Sequence, residues 1–158
     1  MAKPIPDGYH TLTPTLTVRD GAKAIEFYTK AFGAQERMRL AGPDGRLMHA
    51  ELKIGDSIVM LGGEQPGMSD RAPSAAAGPT GSLYMYVADV DAAFKRAVEA
   101  GAKVVMPLGD MFWGDRFGMV EDPSGHHWAL ATHKEDLSEA EMTKRQQQFL
   151  VQMSAPKT

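Results

Sequence analysis

The sequence contains no cysteine. Disulfide bonds, thiolate metal sites and a cysteine nucleophile are therefore excluded. A long apolar run near the start is missing as well, because residues 1–10 contain two prolines and one lysine among mostly polar neighbours. This segment predicts neither a signal peptide nor a membrane anchor, and a cytoplasmic location follows as the expectation.

Basic charge is not in excess either. The chain has 17 lysines and arginines against 20 aspartates and glutamates, a formal net charge of −3. The basic residues are scattered, which argues against nucleic-acid and anionic-membrane partners and favours a small-molecule ligand. The sequence also lacks a Walker loop, a dinucleotide fingerprint, a nucleophile elbow and a His-Glu-x-x-His motif. Nucleotide-driven chemistry is therefore not expected.

What remains is an ordinary globular composition. Of 158 residues, 43% are hydrophobic and 23% are charged. A chain of this length buries enough surface for one compact core, so we expect a single domain over residues 1–158.

The first half of the chain has the pattern of a strand, a helix and three further strands. Asp20 precedes a run with helical spacing and predicts an N-cap, and Gly33 predicts the helix end. The predicted elements are the strand Thr11–Val18, the helix Ala22–Phe32, and the strands Arg37–Leu40, Leu47–Ile54 and Ser57–Leu61. Residues 62–81 are rich in Gly, Pro, Ala and Ser without periodicity, which predicts a surface linker.

The same order of elements recurs after the linker. The predicted elements are the strand Ser82–Val87, the helix Val90–Ala100 behind Asp89, and the strands Lys103–Leu108, Arg116–Glu121 and His127–Thr132. Three motifs repeat with them: Val18-x-Asp20 as Val87-x-Asp89, Gly33-Ala34 as Gly101-Ala102, and Glu51-x-x-x-Gly55 as Glu121-x-x-x-Gly125. The sequence thus predicts an α+β fold of two tandem β-α-β-β-β modules, at about 11–61 and 82–132. The capping box Ser138-x-x-Glu141 predicts an additional C-terminal helix over about 138–153.

Several of these motifs resemble those of a known family. Leu16-Thr17-Val18-x-Asp20, with Phe27-Tyr28 and Phe32-Gly33-Ala34, resembles the first-module signature of the glyoxalase/bleomycin-resistance/extradiol dioxygenase (vicinal oxygen chelate) superfamily. Val120-Glu121-Asp122-Pro123-x-Gly125 resembles the second. Gly42-Pro43-Asp44-Gly45, His49-Ala50-Glu51-Leu52 and the run from Trp113 to Gly118 are similar to its PhnB-like branch. The resemblance implies curved mixed sheets and a homodimer.

The superfamily usually holds a divalent metal between His, Gln or Glu side chains on the first and last strand of each module. The resemblance places those four positions at Thr13, Met60, Ser82 and Ala129, with Val59 in place of Met60 if the register slips by one. Hydroxyls and a thioether are poor ligands for such cations, so we expect no metal at the usual site. The leading hypothesis is therefore a small-molecule binding protein that sequesters or senses its ligand.

Two other functions remain open. His49 and Glu51 lie two apart on one predicted strand and share a face, so they could act as an acid–base pair or as metal ligands. With a later histidine (His126, His127 or His133) they would form a displaced site for a lyase, isomerase or dioxygenase. Alternatively, Glu51 only ties down a neighbouring strand or loop. A ligand-free interaction module, whose C-terminal helix docks a partner, is the third reading.

An aromatic loop before the seventh strand is the other candidate for ligand contact. Trp113 and Arg116 could form one wall of a pocket. Alternatively, Asp115 and Arg116 fix the loop by an ion pair or hydrogen bonds while Trp113 covers the sheet edge. Trp128 is expected in the core or the pocket. The predicted pocket consists of Thr13, Met60, Ser82, Trp113, Arg116 and Trp128.

Overall fold

The computed structural model describes residues 3–154, so the first two residues of the N-terminal segment and the last four of the chain lie outside the described residues. The elements, in chain order, are β1 (Thr15–Val18), α1 (Gly21–Phe32), β2 (Gln35–Ala41), β3 (Leu47–Ile54), β4 (Ser57–Gly63), β5 (Ser82–Tyr86), α2 (Val90–Glu99), β6 (Lys103–Asp110), β7 (Asp115–Glu121), β8 (His127–His133) and α3 (Glu139–Ser154).

The two helices inside the modules begin where the sequence predicts. The Asp20 carboxylate accepts a hydrogen bond from the Lys23 backbone N–H at 3.1 Å. At the start of α2, the Asp89 carboxylate likewise accepts a hydrogen bond from the Ala92 backbone N–H at 3.0 Å. Helix α1 ends at Gly33, whose φ of 66° is left-handed and suits glycine. The predicted caps are confirmed.

The strands form two four-stranded mixed sheets of identical topology. Sheet 1 has the order β1-β4-β3-β2 and sheet 2 the order β5-β8-β7-β6. In each, the first strand of the module pairs parallel with the last, and the remaining pairs are antiparallel. The predicted α+β fold of two β-α-β-β-β modules with a C-terminal helix is confirmed. Strand β1 starts four residues later than expected, after Pro14, which has no N–H for the ladder.

The Glu-x-x-x-Gly repeat does not mark equivalent positions. Glu51 lies opposite Met60, three residues before the end of β3. Glu121 is the last residue of β7 and lies opposite His127. The turn over 122–126 is longer than the two-residue turn of sheet 1, so equal spacing in sequence places the two glutamates at different depths in their sheets.

The core lies between the sheets and the helices α1 and α2, which contact each other. The Trp128 ring packs on Phe32 with centroids 4.7 Å apart. The Tyr28 hydroxyl in the first module donates a hydrogen bond to the buried Asp122 carboxylate in the second at 2.5 Å. Each sheet therefore has one face covered by a helix and one open face.

Helix α3 stands apart from this core and has no buried residue. Its contacts with the second module include an ion pair from Arg145 to Glu135 at 2.8 Å and a ring contact between Phe149 and Phe112 at 5.3 Å. None of the helices within residues 3–154 is long and apolar enough to cross a membrane.

Candidate functional site

The open face of sheet 2 follows from strand alternation and register. Residues two apart on a strand point to the same side. Tyr84 lies beside Ala129 on the neighbouring strand, and Ala129 lies opposite Met119 on the next. The open face of sheet 2 includes Tyr84, Tyr86, Asp115, Phe117, Met119, Ala129, Ala131 and His133, with Met106 of β6 beside Met119.

A buried carboxylate lies at one end of this face, because Asp115 begins β7 and pairs with His133 at the end of β8. Asp115 is only 3% exposed. Its Oδ2 atom accepts hydrogen bonds from the Tyr84 hydroxyl at 2.7 Å, the Tyr86 hydroxyl at 3.1 Å and the Trp113 indole N–H at 3.2 Å. Three donors on one oxygen satisfy a charge that would be costly to bury alone.

His133 completes the set of donors. Its Nδ1 lies 2.8 Å from Oδ1 of Asp115, and its Nε2 lies 3.0 Å from Oδ1 of Asp136. The hydrogen bond to Asp115, followed by the one to Asp136, raises the pKa of His133. Burial raises the pKa of Asp115, but its bonds from His133, the two tyrosines and Trp113 outweigh burial and hold that pKa below its usual value. The pair therefore favours a carboxylate beside an imidazolium.

Aromatic rings surround the carboxylate. The Tyr84 ring stacks on Phe117 with centroids 5.5 Å apart and an interplanar angle of 30°. The Trp113 ring meets the Phe117 ring edge-on, with centroids 5.7 Å apart, and the ring centroids of Tyr86 and Tyr84 are 5.1 Å apart. Tyr84 and Tyr86 nevertheless stay 45% and 63% exposed. The face is thus a platform of rings over a fixed negative charge, and contiguous exposed apolar surface of this kind is typical of binding sites.

The loop before β7 holds Trp113 in place. Gly114 has a φ of 96°, and a Cβ there would lie 2.5 Å from the backbone carbonyl oxygen of Glu135. The Gly114 carbonyl accepts from the backbone N–H groups of Lys134 and Glu135 at 2.9 and 3.1 Å. Only glycine fits this turn, and the turn places the indole N–H within reach of Asp115.

Sheet 1 carries a different polar cluster on its open face, centred on Glu51. The hydroxyl of Tyr9 donates a hydrogen bond to the Glu51 carboxylate. Arg37 lies 3.8 Å from the same carboxylate, and its guanidinium sits over the Tyr9 ring at 5.3 Å. The Tyr9 hydrogen bond is the main cause that lowers the pKa of Glu51. His49 Nε2 is 3.5 Å from Glu51. The cluster ties the N-terminal segment to the sheet, as in the structural alternative for Glu51.

The four positions at which the resemblance places metal ligands are divided between the two modules. Thr13 precedes β1 and donates to the backbone carbonyl of His10 at 3.2 Å. Met60 lies beside Glu51 in sheet 1. In sheet 2, Ser82 is exposed at the start of β5 and Ala129 is buried on the open face. None of the four side chains offers a charged or imidazole donor.

Two other residues of the predicted pocket lie on the helix-covered face. Arg116 forms ion pairs with Asp91 at 2.8 Å and Asp110 at 3.1 Å. Trp128 is 2% exposed and donates its indole N–H to Asp122 at 3.0 Å. Trp113 contacts the opposite face, so Trp113 and Arg116 do not form one wall.

The later histidines His126 and His127 contact other residues and not Glu51. His126 Nε2 contacts the backbone carbonyl of Thr17 at 2.8 Å, and His127 Nε2 lies 3.6 Å from Glu121. Across residues 3–154, no three His, Asp or Glu side chains come together in a way that could hold a metal ion. The structure does not bring His49, Glu51 and a later histidine into one such group.

Several concavities lie away from the open face of sheet 2 or at its edge, and two of them adjoin β5. One of about 430 Å³ lies between the linker and the start of β5, but Arg71 and His126 in its wall are bonded to backbone carbonyls. A smaller cleft of about 180 Å³ adjoins Tyr84, Tyr86 and Trp128. Ligand pockets usually measure about 300–1,000 Å³, so this cleft alone is too small for most ligands.

Sequence reasoning missed Tyr84 and Tyr86, and it gave Asp115 only a role in fixing the loop. The signal for the tyrosines was available, since Tyr84-Met85-Tyr86 alternates on a predicted strand and puts both rings on one face. The meeting of the tyrosines with Asp115 depends on the pairing of β5 with β8 and of β8 with β7, which lie far apart in sequence.

Known protein families and proteins include sequences similar to this chain. Residues 10–130 match the family model of the Glyoxalase/Bleomycin resistance protein/Dioxygenase superfamily. An uncharacterised protein of Mycobacterium bovis is 49% identical over 122 residues, which cover 75% of this chain and 80% of that protein.

Solved structures give the same result. TioX from Micromonospora sp. ML1 is 30% identical with a TM-score of 0.63, over 78% of this chain and 98% of that one. A PhnB protein from Bacillus cereus, at 20% identity, shares the fold with a TM-score of 0.59 over 78% of this chain and 99% of its own. The resemblance seen in the motifs is confirmed, and the chain belongs to the glyoxalase/bleomycin resistance protein/dioxygenase superfamily.

Proposed function

We propose that this chain is a cytoplasmic small-molecule binding protein that holds a planar organic ligand on the open face of sheet 2 without a metal. Sequestration or sensing of that ligand would be its role. The observation that carries the proposal is the buried Asp115 carboxylate beneath exposed rings. Tyr84, Tyr86 and Trp113 are fixed by this carboxylate, and rigid rings bind with little loss of side-chain entropy.

The chemistry of the side chains supports binding without a metal. Met60 and Ala129, at two of the positions where relatives place ligands, have no oxygen or nitrogen donor. The Thr13 hydroxyl already donates to a backbone carbonyl. Desolvating a dication must be offset by charged or strongly basic ligands, which these positions do not supply.

We also propose that the protein is a homodimer. Both sheets leave large apolar side chains exposed on their open faces, including Met38 and Leu40 in sheet 1 and Met106 in sheet 2. A second copy covering part of these faces would bury them and enclose the ligand. A stable interface should bury more than about 1,000 Å². Sedimentation velocity at tens of micromolar should show a dimer, and a monomer at this concentration would contradict the proposal.

Nuclear magnetic resonance tests the ligand site directly, because the chain has two tryptophans in different places. Trp113 lies at the proposed site and Trp128 lies in the core. Titration of ¹⁵N-labelled protein with 1-naphthalenemethanol should shift the indole N–H signal of Trp113 in a saturable way and leave that of Trp128 nearly unchanged. Substitution Tyr84→Ala should weaken the effect. If the Trp113 signal does not move, or if Trp128 responds first, the site is wrong.

Elemental analysis of protein purified from metal-supplemented medium tests binding without a metal. We expect substoichiometric Ni, Fe, Zn and Mn. A stoichiometric metal that is lost in Glu51→Gln would instead support a displaced-site enzyme based on His49 and Glu51.

A further inference from the structure

The hydroxyl hydrogens at the proposed site have a fixed direction. An ionised carboxylate only accepts hydrogen bonds, so the hydroxyls of Tyr84 and Tyr86 must donate to Asp115. The indole N–H of Trp113 is committed to the same oxygen. What Tyr84 and Tyr86 still offer a ligand are the lone pairs of their hydroxyl oxygens.

Reversing these hydroxyls would be unfavourable. If Tyr84 turned its hydrogen toward a ligand, Oδ2 of the buried Asp115 would lose its shortest hydrogen bond. A buried charge that loses a donor destabilises the folded protein more than a neutral group does. The two exposed tyrosines therefore act as hydrogen-bond acceptors toward a ligand.

The local charge also favours a cationic ligand over an anionic one. Two carboxylates, Asp115 and Asp136, flank the single imidazole of His133. Arg116 is not available to neutralise an anionic ligand, because it pairs with Asp91 and Asp110 on the other face of the sheet. Cations, in contrast, are attracted to the faces of Tyr and Trp rings.

We propose that this face, within the small-molecule function proposed above, selects planar ligands that donate hydrogen bonds, aromatic rings that carry a protonated alkylamine foremost, and rejects aromatic carboxylates. The ring of such a ligand stacks on the exposed tyrosines. Its ammonium group donates to the hydroxyl oxygens of Tyr84 and Tyr86, whose own hydrogens remain on Asp115.

Three probes with one ring separate this inference from the proposed function. They are 1-naphthylmethylamine, 1-naphthalenemethanol and 1-naphthoate, each titrated at pH 7 while the indole N–H signals are followed. The amine should bind at least about tenfold more tightly than the carboxylate, which corresponds to about 1.4 kcal/mol. Equal affinity for amine and carboxylate would overturn the selectivity and leave the ligand site standing. No response of Trp113 to any of the probes would overturn both.

Variants that lose only hydroxyls test the role of the lone pairs. Tyr84→Phe/Tyr86→Phe keeps both rings, so 1-naphthalenemethanol should still bind. The preference for the amine over the carboxylate should fall but stay above unity, because the ring faces and the carboxylates of Asp115 and Asp136 remain. Tyr9→Phe removes a tyrosine–carboxylate hydrogen bond on sheet 1 and is the matched control, with an unchanged preference expected. The indole N–H signal of Trp128 in the core shows whether the double variant is folded. If it is not, the single variant Tyr86→Phe replaces it, and its preference for the amine should fall by less than that expected for the double variant. An unchanged preference in a folded variant overturns the inference.

Discussion

Removal of the Asp115 carboxylate is the perturbation that tests the site most directly. Asp115→Ala deletes the acceptor of four hydrogen bonds, from Tyr84, Tyr86, Trp113 and His133. Hydrogen bonds to charged groups each contribute roughly 1.5–3 kcal/mol. The loss in Asp115→Ala should be smaller than the sum of these four contributions. Three of the donors are exposed enough to bind water instead, and the variant no longer has to bury a charge. We expect a loss of about 2–3 kcal/mol in the free energy of unfolding.

The isosteric change Asp115→Asn should be milder. Its carboxamide oxygen can accept from the tyrosines and Trp113, while its NH₂ group donates to Nδ1 of a neutral His133. Nε2–H of that histidine can still donate to Asp136. All partners are kept and only the charge is lost, so the expected loss is about 1 kcal/mol.

Urea unfolding at pH 7, followed by circular dichroism, measures both variants. A loss of 2–3 kcal/mol should also lower the midpoint of thermal unfolding by about 4–12 °C for a chain of this size. Asp70→Ala, at an exposed carboxylate in the linker, is the control and should stay within about 0.5 kcal/mol of the parent. If Asp115→Ala also stays within that margin, or if Asp115→Asn is equally damaging, the network does not act as described.

Three further substitutions test separate parts of the structure. Tyr28→Phe removes the hydroxyl that donates to Asp122 between the modules and should cost about 1–2 kcal/mol in urea unfolding, whereas an unchanged midpoint would show that the bond is dispensable. Gly63→Ala places a Cβ 2.4 Å from the Leu47 backbone carbonyl oxygen, so thermal unfolding should show a loss of about 1–3 kcal/mol, and full stability would contradict the close approach. The pKa of His133 is raised above 6.5 in the folded chain, so its stabilisation is complete below pH 6.5 and is lost as pH rises through the folded value. The difference in unfolding free energy between parent and His133→Gln should therefore shrink above pH 6.5, and a constant difference would refute this.

The secondary structure could be predicted because its signals are local. Asp20 and Asp89 cap their helices in the way that their position before apolar periodic runs predicts. The bounds of β3 agree with the prediction to the residue, since a two-residue Gly-Asp turn follows it and a run of turn-forming residues precedes it. The duplication was visible for the same reason, because each module repeats the same short signals in the same order.

The site could not be predicted to the same degree, because it depends on pairings between distant strands. Trp113 lies in the predicted loop and Arg116 begins the predicted strand, but nothing local says that β7 begins one residue earlier, at Asp115. Once the strand begins there, alternation sends Asp115 to the open face and Arg116 to the helix face, where Asp91 pairs with it. A shift of one residue in the pairing register of β7 with β8 would exchange the faces of the two side chains.

The two modules also differ in a way that favours sheet 2 over sheet 1 as the proposed ligand site. Each open face has a carboxylate that accepts a hydrogen bond from tyrosine, Glu51 in sheet 1 and Asp115 in sheet 2. In sheet 1 the tyrosine is Tyr9, which comes from the N-terminal segment and lies over the carboxylate with Arg37 against its ring. In sheet 2 the tyrosines belong to β5, so the sheet supplies its own donors. The duplicated fold therefore covers one carboxylate with its own chain and leaves exposed rings around the other, where a ligand can stack.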